Sequence, residues 1–225
     1  MQPPKVLVGC PTADYKSYCL KEYADAVKSL TYLSYDVLIV DNSSNYEYFK
    51  KIKEQGLNVI KGPYFEGARE RIVHSRNMIR EKVLSGGYDY FFSLEQDVIP
   101  EKDAIERLIR HNKKIVSGVV YNNLPAGNEI KLMPMIYVQH PLDQTGLWYI
   151  SEKELRKEQL VEVKACGLGC VLIHRDMIKK IKFRYAKGFD DMMFCKDAVE
   201  LGFKIFADTS VKPKHLHSTW TGIQK

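Results

Sequence analysis

The sequence has no uninterrupted apolar run of membrane-spanning length, no internal repeat, no low-complexity stretch and no block of like charge. A spanning helix needs roughly 18 or more consecutive apolar residues, so an integral helical membrane protein is not expected. Cysteine is sparse: of five, Cys10, Cys19 and Cys195 are scattered and only Cys166 and Cys170 lie close together. Without a second close pair, neither a structural zinc site nor a disulfide framework is expected, and the thiols read as reduced and mostly buried. The segment Met1 to Lys5 lacks the basic stretch and apolar block of a secretory signal, so a cytoplasmic location is the expectation. The net charge of +6 is dispersed along the chain, and no motif that reads RNA or DNA accompanies it. No nucleic-acid partner is therefore expected. A nucleotide diphosphate fits the charge, as does peripheral contact with an anionic membrane surface.

What is present is core-forming material: 225 residues, 45% of them hydrophobic and 11% aromatic, enough for a single domain with two cooperating halves. The boundary falls at about residue 112, giving halves of 1–112 and 113–225. In the first half, β-prone runs at Lys5–Cys10, Asp36–Val40, Leu57–Lys61 and Tyr88–Leu94 alternate with helical periodicity over Ser17–Leu33, Tyr46–Gln55 and Ala68–Val83. Such alternation predicts βαβ units and a mainly parallel, Rossmann-like sheet flanked by helices. Sheets of this kind bind ligands outside the carboxyl ends of their strands, where this sequence places its polar clusters. The second half is less regular. Lys114–Tyr121 and Phe203–Ala207 read as strands, Gln159–Ile173 as one strand interrupted at Gly167-Leu168-Gly169, and Asp190–Leu201 as a helix. Between Asn122 and Ile150 the pattern breaks into loops and short antiparallel strands, a smaller mixed subregion.

The sharpest feature is Ser93-Leu94-Glu95-Gln96-Asp97-Val98-Ile99-Pro100, two acids one residue apart directly after a hydrophobic strand. In an extended chain alternate side chains share a face, so Glu95 and Asp97 can converge on one site. A divalent cation held there by few protein oxygens would bridge nucleotide phosphates.

With these acids in view, the stretch from Lys5 to Pro100 resembles the nucleotide-binding half of family-two-like GT-A glycosyltransferases. Strand one ends in Cys10-Pro11-Thr12, where such enzymes begin their nucleotide cleft. Val40-Asp41-Asn42-Ser43-Ser44 is similar to the segment whose acid meets the base, and Ser75-Arg76-Asn77 to the segment preceding the metal strand. Glu95 stands where the family has Asp, whereas Asp97 keeps the metal-facing position. Further on, Gly167 and Gly169 resemble the glycine-bearing strand lining the sugar and acceptor site. Phe189-Asp190-Asp191 resembles the acid pair that opens a helix, and Lys214-His215-Leu216-His217 the late histidine segment.

The resemblance implies a glycosyltransferase that moves a sugar from a nucleotide-diphosphate sugar to an acceptor hydroxyl on a glycan, lipid or protein, inverting by the family's habit. Its implied base is Asp191, with Asp190 second. Its nucleotide-sugar contacts are Pro11, Thr12, Asp41, Ser43, Arg76, Asn77, Glu95, Gln96, Gly167 and Gly169. Its metal ligands are Asp97, His215 and His217, and its cofactor is Mn2+ or Mg2+. Each residue also has a structural reading: Asp41 and Ser43 as helix caps, Arg76 as the flank of a packed helix, the glycines as a bulge, and the acid pair as dipole-complementing residues. Two rivals remain open. One is a nucleotidyltransferase, disfavoured by the single glycine and missing arginine in Gly9–Asp14. The other is a GT-A protein that binds nucleotides or glycans without catalysis.

Overall fold

The computed structural model describes residues 2–126, 129–143, 146–186 and 188–216. Apolar and β-branched runs form β1 (Val6–Thr12), β2 (Tyr35–Asp41), β3 (Val59–Lys61) and β4 (Tyr90–Leu94). All five side chains of β4 are buried, as expected of a strand covered on both faces. These strands pair in parallel, β1 with β2 and β4, and β2 with β3. Parallel neighbours need crossovers, supplied by α1 (Leu20–Lys28), α2 (Glu47–Glu54) and α3 (Ala68–Ser85).

The chain continues through β5 (Val98–Ile99), α4 (Ala104–Ile109) and β6 (Ile115–Ser117) into a hairpin of β7 (Tyr121–Ala126) and β8 (Glu129–Pro134). Then come β9 (Ile136–Gln139), β10 (Leu147–Tyr149), α5 (Glu152–Leu155), β11 (Leu160–Val163) and β12 (Ala165–Cys166). The last described elements are β13 (Cys170–His174), α6 (Arg175–Lys180), α7 (Asp190–Glu200), β14 (Ile205–Asp208) and β15 (Lys214–His215).

Eight strands form the central sheet in the order β11-β14-β6-β13-β4-β1-β2-β3. Four of its seven neighbouring pairs are parallel, so the mainly parallel α/β architecture holds. The departures are β13, which runs antiparallel to both β4 and β6, and the edge strand β11, antiparallel to β14. The expected single strand over Gln159–Ile173 is three: β11 at the sheet edge, β12 in a three-stranded sheet with β9 and β10, and β13 at the centre. The expected helix over Ser17–Leu33 is also shorter. It begins as a 3-10 turn, Asp14–Cys19, and α1 ends at Lys28. Within that turn the carbonyl of Lys16 accepts a hydrogen bond from Gln96 Nε2 at 2.8 Å.

One apolar cluster packs α3, α6 and α7 on one face of the sheet through Ile79, Ile178 and Phe194. The other packs α1, α2 and α4 on the opposite face through Tyr23, Ile52 and Leu108. Each draws on both halves of the chain, Leu7 with Ile205 in the first and Val8 with Val211 in the second. Helix α3 lies so close to β1 that a Cβ on Gly9 would stand 2.5 Å from Ile79 Cγ2 and 2.6 Å from the Phe91 ring. Glycine is what permits this approach. The five cysteines are free and buried. No helix among the described residues is long and apolar enough to cross a membrane.

Candidate functional site

In the order β4-β1-β2-β3 the chain runs from β1 outward to β2 and β3, then crosses back through α3 to β4 on the other side of β1; this reversal makes the gap outside the carboxyl ends of β1 and β4 the ligand crevice of the sheet. A cavity of about 50 Å³ opens there, lined by Pro11, Tyr15, Lys16, Ile72, Glu95 and Gln96. Asp97 sits beside it, 6% exposed.

The partner of Asp97 arrives from the far end of the described chain. Strand β15 pairs antiparallel with β5, His215 opposite Val98, and Leu216 N donates to Asp97 O at 2.7 Å. His215 Nε2 thereby lies 3.3 Å from Asp97 Oδ2, while its Nδ1 lies 2.7 Å from the carbonyl of Tyr121. With Nδ1–H given to that carbonyl, Nε2 is the nitrogen turned to the acid. Asp97 Oδ2 also pairs with the Lys16 ammonium and accepts from Tyr18 OH at 3.3 Å. Asp97 Oδ1 is buried and accepts no hydrogen bond among the described residues. Burial alone would raise the Asp97 carboxyl, but the His215 hydrogen bond and the Lys16 charge outweigh it and hold it well below the usual range. Burial pulls His215 down, and its contact with Asp97 more than reverses this, so the imidazole is raised.

Arg76 organises the second group of acids. It is 2% exposed, with Nη2 at 2.8 Å from Glu95 Oε1, Nε at 2.7 Å from Asp190 Oδ2, and Nη1 donating to Ser93 Oγ at 2.8 Å. One guanidinium thus ties α3 to the end of β4 and to the first residue of α7. Burial raises the Asp190 carboxyl; Arg76 opposes that and Glu95 adds to it. Asp191, one residue further, is pushed up to about 6, chiefly by burial. Its Oδ1 accepts from Met192 N at 2.7 Å.

The remaining expected contacts divide. Pro11 and Glu95 face the crevice. Gln96 lines it too, yet is 2% exposed and committed to structure: Oε1 accepts from Thr12 Oγ1 and from Tyr48 OH at 2.9 Å. Thr12 is likewise buried. Asp41 is wholly buried. Its Oδ1 accepts from Ser43 N at 2.9 Å and Ser43 Oγ at 2.5 Å, and its Oδ2 pairs with Lys61 at 2.7 Å. Asp41 and Ser43 therefore brace the loop after β2. Asn77 lies away from the crevice, exchanging hydrogen bonds with both the amide and the carbonyl of Phe183 at 3.0 and 2.9 Å. It lines a separate cavity of about 320 Å³ between α3 and the segment 182–185. Gly169 gives its carbonyl to Glu95 N at 3.0 Å, and a Cβ there would stand 3.3 Å from Val98 Cγ2. A Cβ on Gly167 would meet Met135 Cβ at 3.2 Å. Both glycines are explained by packing against protein. His217 lies outside the described residues. Among those described, no group of three His, Cys, Asp or Glu side chains is placed to hold a metal.

Lys16 and Tyr18 are site residues that the sequence reading missed. The available signal was position: both follow the carboxyl end of β1 in the turn Asp14–Cys19.

No protein-family model matches the chain, and no curated protein is similar to it in sequence. Solved structures do match. The mannosyltransferase PcManGT from Pyrobaculum calidifontis, in complex with GDP-Man and Mn2+, aligns with a TM-score of 0.67 and 14% identity over 98% of this chain and 59% of that one. GalNAc-T7 with UDP, GalNAc and Mn2+ aligns at 0.65 and 14%, over 95% and 44%. A mycobacterial protein aligns at 0.59 and 14%, over 96% and 68%. The chain spans about half the length of the two transferases. At this identity the likeness is one of fold, and the fold of this chain is the GT-A fold of glycosyltransferases.

Proposed function

We propose that the chain transfers a sugar from a nucleoside-diphosphate sugar to an acceptor hydroxyl, with a divalent cation at Asp97. The observation that carries this reading is the β5–β15 pairing, which sets His215 against Asp97 at the ligand crevice of the sheet. The donor set suits a hard cation that keeps phosphate oxygens and water as its other ligands. Asp97 Oδ1 is a buried acceptor without a hydrogen-bond partner among the described residues, and the Nδ1 contact to Tyr121 orients His215 as backbone carbonyls orient metal-bound imidazoles. Asp97 and His215 would hold the cation, with His217 a further candidate. The cation would supply charge stabilisation to the departing diphosphate.

The chain's own residues do the rest. Asp191, raised to about 6, is the base that takes the acceptor proton, its value close to the operating range of a general base. Arg76 acts through others: it fixes Asp190, and with it the start of α7, against Glu95. Asp41 and Lys61 hold the loop on which the base of the nucleotide would rest. In this reading residues 1–112 bind the donor, and 113–225, with the small sheet β10-β9-β12, face the acceptor.

The test is a calorimetric titration of UDP and GDP with Mn2+, Mg2+ or EDTA, followed by donor hydrolysis with the responding nucleotide. Metal-dependent binding that Asp97→Ala abolishes supports the proposal. Binding without any turnover, in the wild type and with every sugar donor tried, would leave a nucleotide-binding GT-A protein instead.

A further inference from the structure

The two oxygens of Asp97 are treated unequally. Oδ2 receives Lys16, His215 and Tyr18, while Oδ1 receives nothing among the described residues. A carboxylate held this way presents one defined atom to a cation without giving up its other partners. Lys16 therefore need not leave when the site fills.

Lys16 is also placed to do more than balance Asp97. Its side chain is only 19% exposed and lines the crevice with Pro11, Tyr15 and Glu95. Its backbone is fixed from two sides, since Lys16 N donates to Ala13 O at 2.9 Å and Lys16 O accepts from Gln96 Nε2 at 2.8 Å. The surroundings are acidic: Glu95, Asp97, Asp190 and Asp191 lie on this side of the sheet, and Arg76 is buried between two of them. A diphosphate entering such a site needs positive charge that is already in place.

We propose that Lys16 is a diphosphate-binding residue, a fixed positive charge that gives this site a cation-independent share of its affinity for nucleoside diphosphates. The proposal rests on the donor-binding reading above. A held ammonium loses little side-chain freedom when the ligand arrives, and charge-assisted contacts to phosphate oxygens are among the stronger hydrogen bonds.

The experiment is calorimetry of GDP and UDP against wild type, Lys16→Met and Lys16→Arg, each in EDTA and in Mn2+, with Mn2+ alone titrated separately. The wild type is expected to bind one nucleotide measurably in EDTA. Lys16→Met should lose at least about tenfold of that affinity, while its affinity for Mn2+ alone stays level or rises because a neighbouring positive charge is gone. Lys16→Arg, which keeps charge and fold, should retain metal-free binding within a few-fold. Equal EDTA affinity in Lys16→Met and wild type overturns the role of Lys16 and leaves the donor-binding reading standing. Failure of wild type to bind either nucleotide even with Mn2+ overturns both.

Discussion

His215 Nε2 stands 3.3 Å from Asp97 Oδ2 because two strands of two residues each, distant in sequence, pair register for register. The contact makes the end of the described chain part of the crevice at β1 and β4. It also makes Asp97 a joint between segments, with Lys16 on one side and His215 on the other.

Asp97→Asn should therefore fail in two measurable ways. Removing the charge leaves the Lys16 ammonium without its counter-ion, which for a mostly buried pair costs about 3–5 kcal/mol and would appear as a lower denaturant midpoint. It should also abolish the metal-dependent part of ligand-induced stabilisation. A nucleotide and Mn2+ present at about 100 times Kd should raise wild-type stability by about 2.7 kcal/mol, and the variant by no more than the nucleotide alone does in EDTA. A variant that keeps a Mn2+-dependent shift would remove Asp97 from the metal site.

If Asp191 is the base proposed above, its raised value should act on stability and activity in opposite senses. Its folded value of about 6 exceeds the ordinary 3.8, so between these pH values the folded state holds a proton that the unfolded state has released. The contribution of this group to stability is thus greatest at low pH and declines as pH rises from about 4 to about 6, leaving ionised Asp191 costing about 3 kcal/mol above that window. Asp191→Asn should be more stable than wild type at pH 8, and the advantage should vanish near pH 4. Activity runs the other way. The wild-type kcat/KM should rise with pH through about 6 as the base ionises, and the variant should lose at least about 100-fold. Equal thermal stability of the two proteins at pH 8 would contradict the burial assigned to this carboxylate.

The sequence made the first four strands legible because each is a short apolar run bounded by turn residues, and α3 because its apolar positions recur at helical spacing. The late histidines are expected as metal ligands with Asp97; that β15 pairs with β5 and so sets His215 3.3 Å from Asp97 Oδ2 is a matter of tertiary pairing that local pattern does not carry. The insertion of β13 against β4 is not legible either, since local periodicity carries no information on strand direction. Arg76 read as a group reaching a nucleotide because its two carboxylate partners, Glu95 and Asp190, become neighbours only through the fold. Lys16 escaped notice for a similar reason: a lysine in a polar turn is ordinarily solvated, and only the approach of Asp97 makes it a half-buried, paired ion. Asn77 shows the converse. It sits one residue from Arg76, yet faces the backbone of Phe183.

Gly9 tests the packing that holds the crevice open. Gly9→Ala would place a Cβ 2.5 Å from Ile79 Cγ2 and 2.6 Å from the Phe91 ring, both in the interior of the sheet–α3 interface. Overpacking of this kind costs about 1–3 kcal/mol and should lower the melting temperature. Because α3 also carries Arg76, the displacement should weaken nucleotide binding as well as stability. A Gly9→Ala protein with wild-type melting would mean that α3 is free to move off β1.

Arg76 offers the sharpest separation between holding the fold and touching the ligand. Arg76→Met should destabilise by about 3–5 kcal/mol, because Asp190 is left buried without its positive partner. Arg76→Lys should recover only part of this, since one ammonium cannot span Glu95, Asp190 and Ser93 as the guanidinium fork does. If Arg76 acts through Asp190 and α7, then removing both charges should be milder than removing one. The double variant Arg76→Met with Asp190→Asn should be more stable than Arg76→Met alone, as measured by chemical denaturation in a double-mutant cycle. Strictly additive losses would mean that the two side chains do not depend on each other, and Arg76 would then have to be assigned a role facing the ligand.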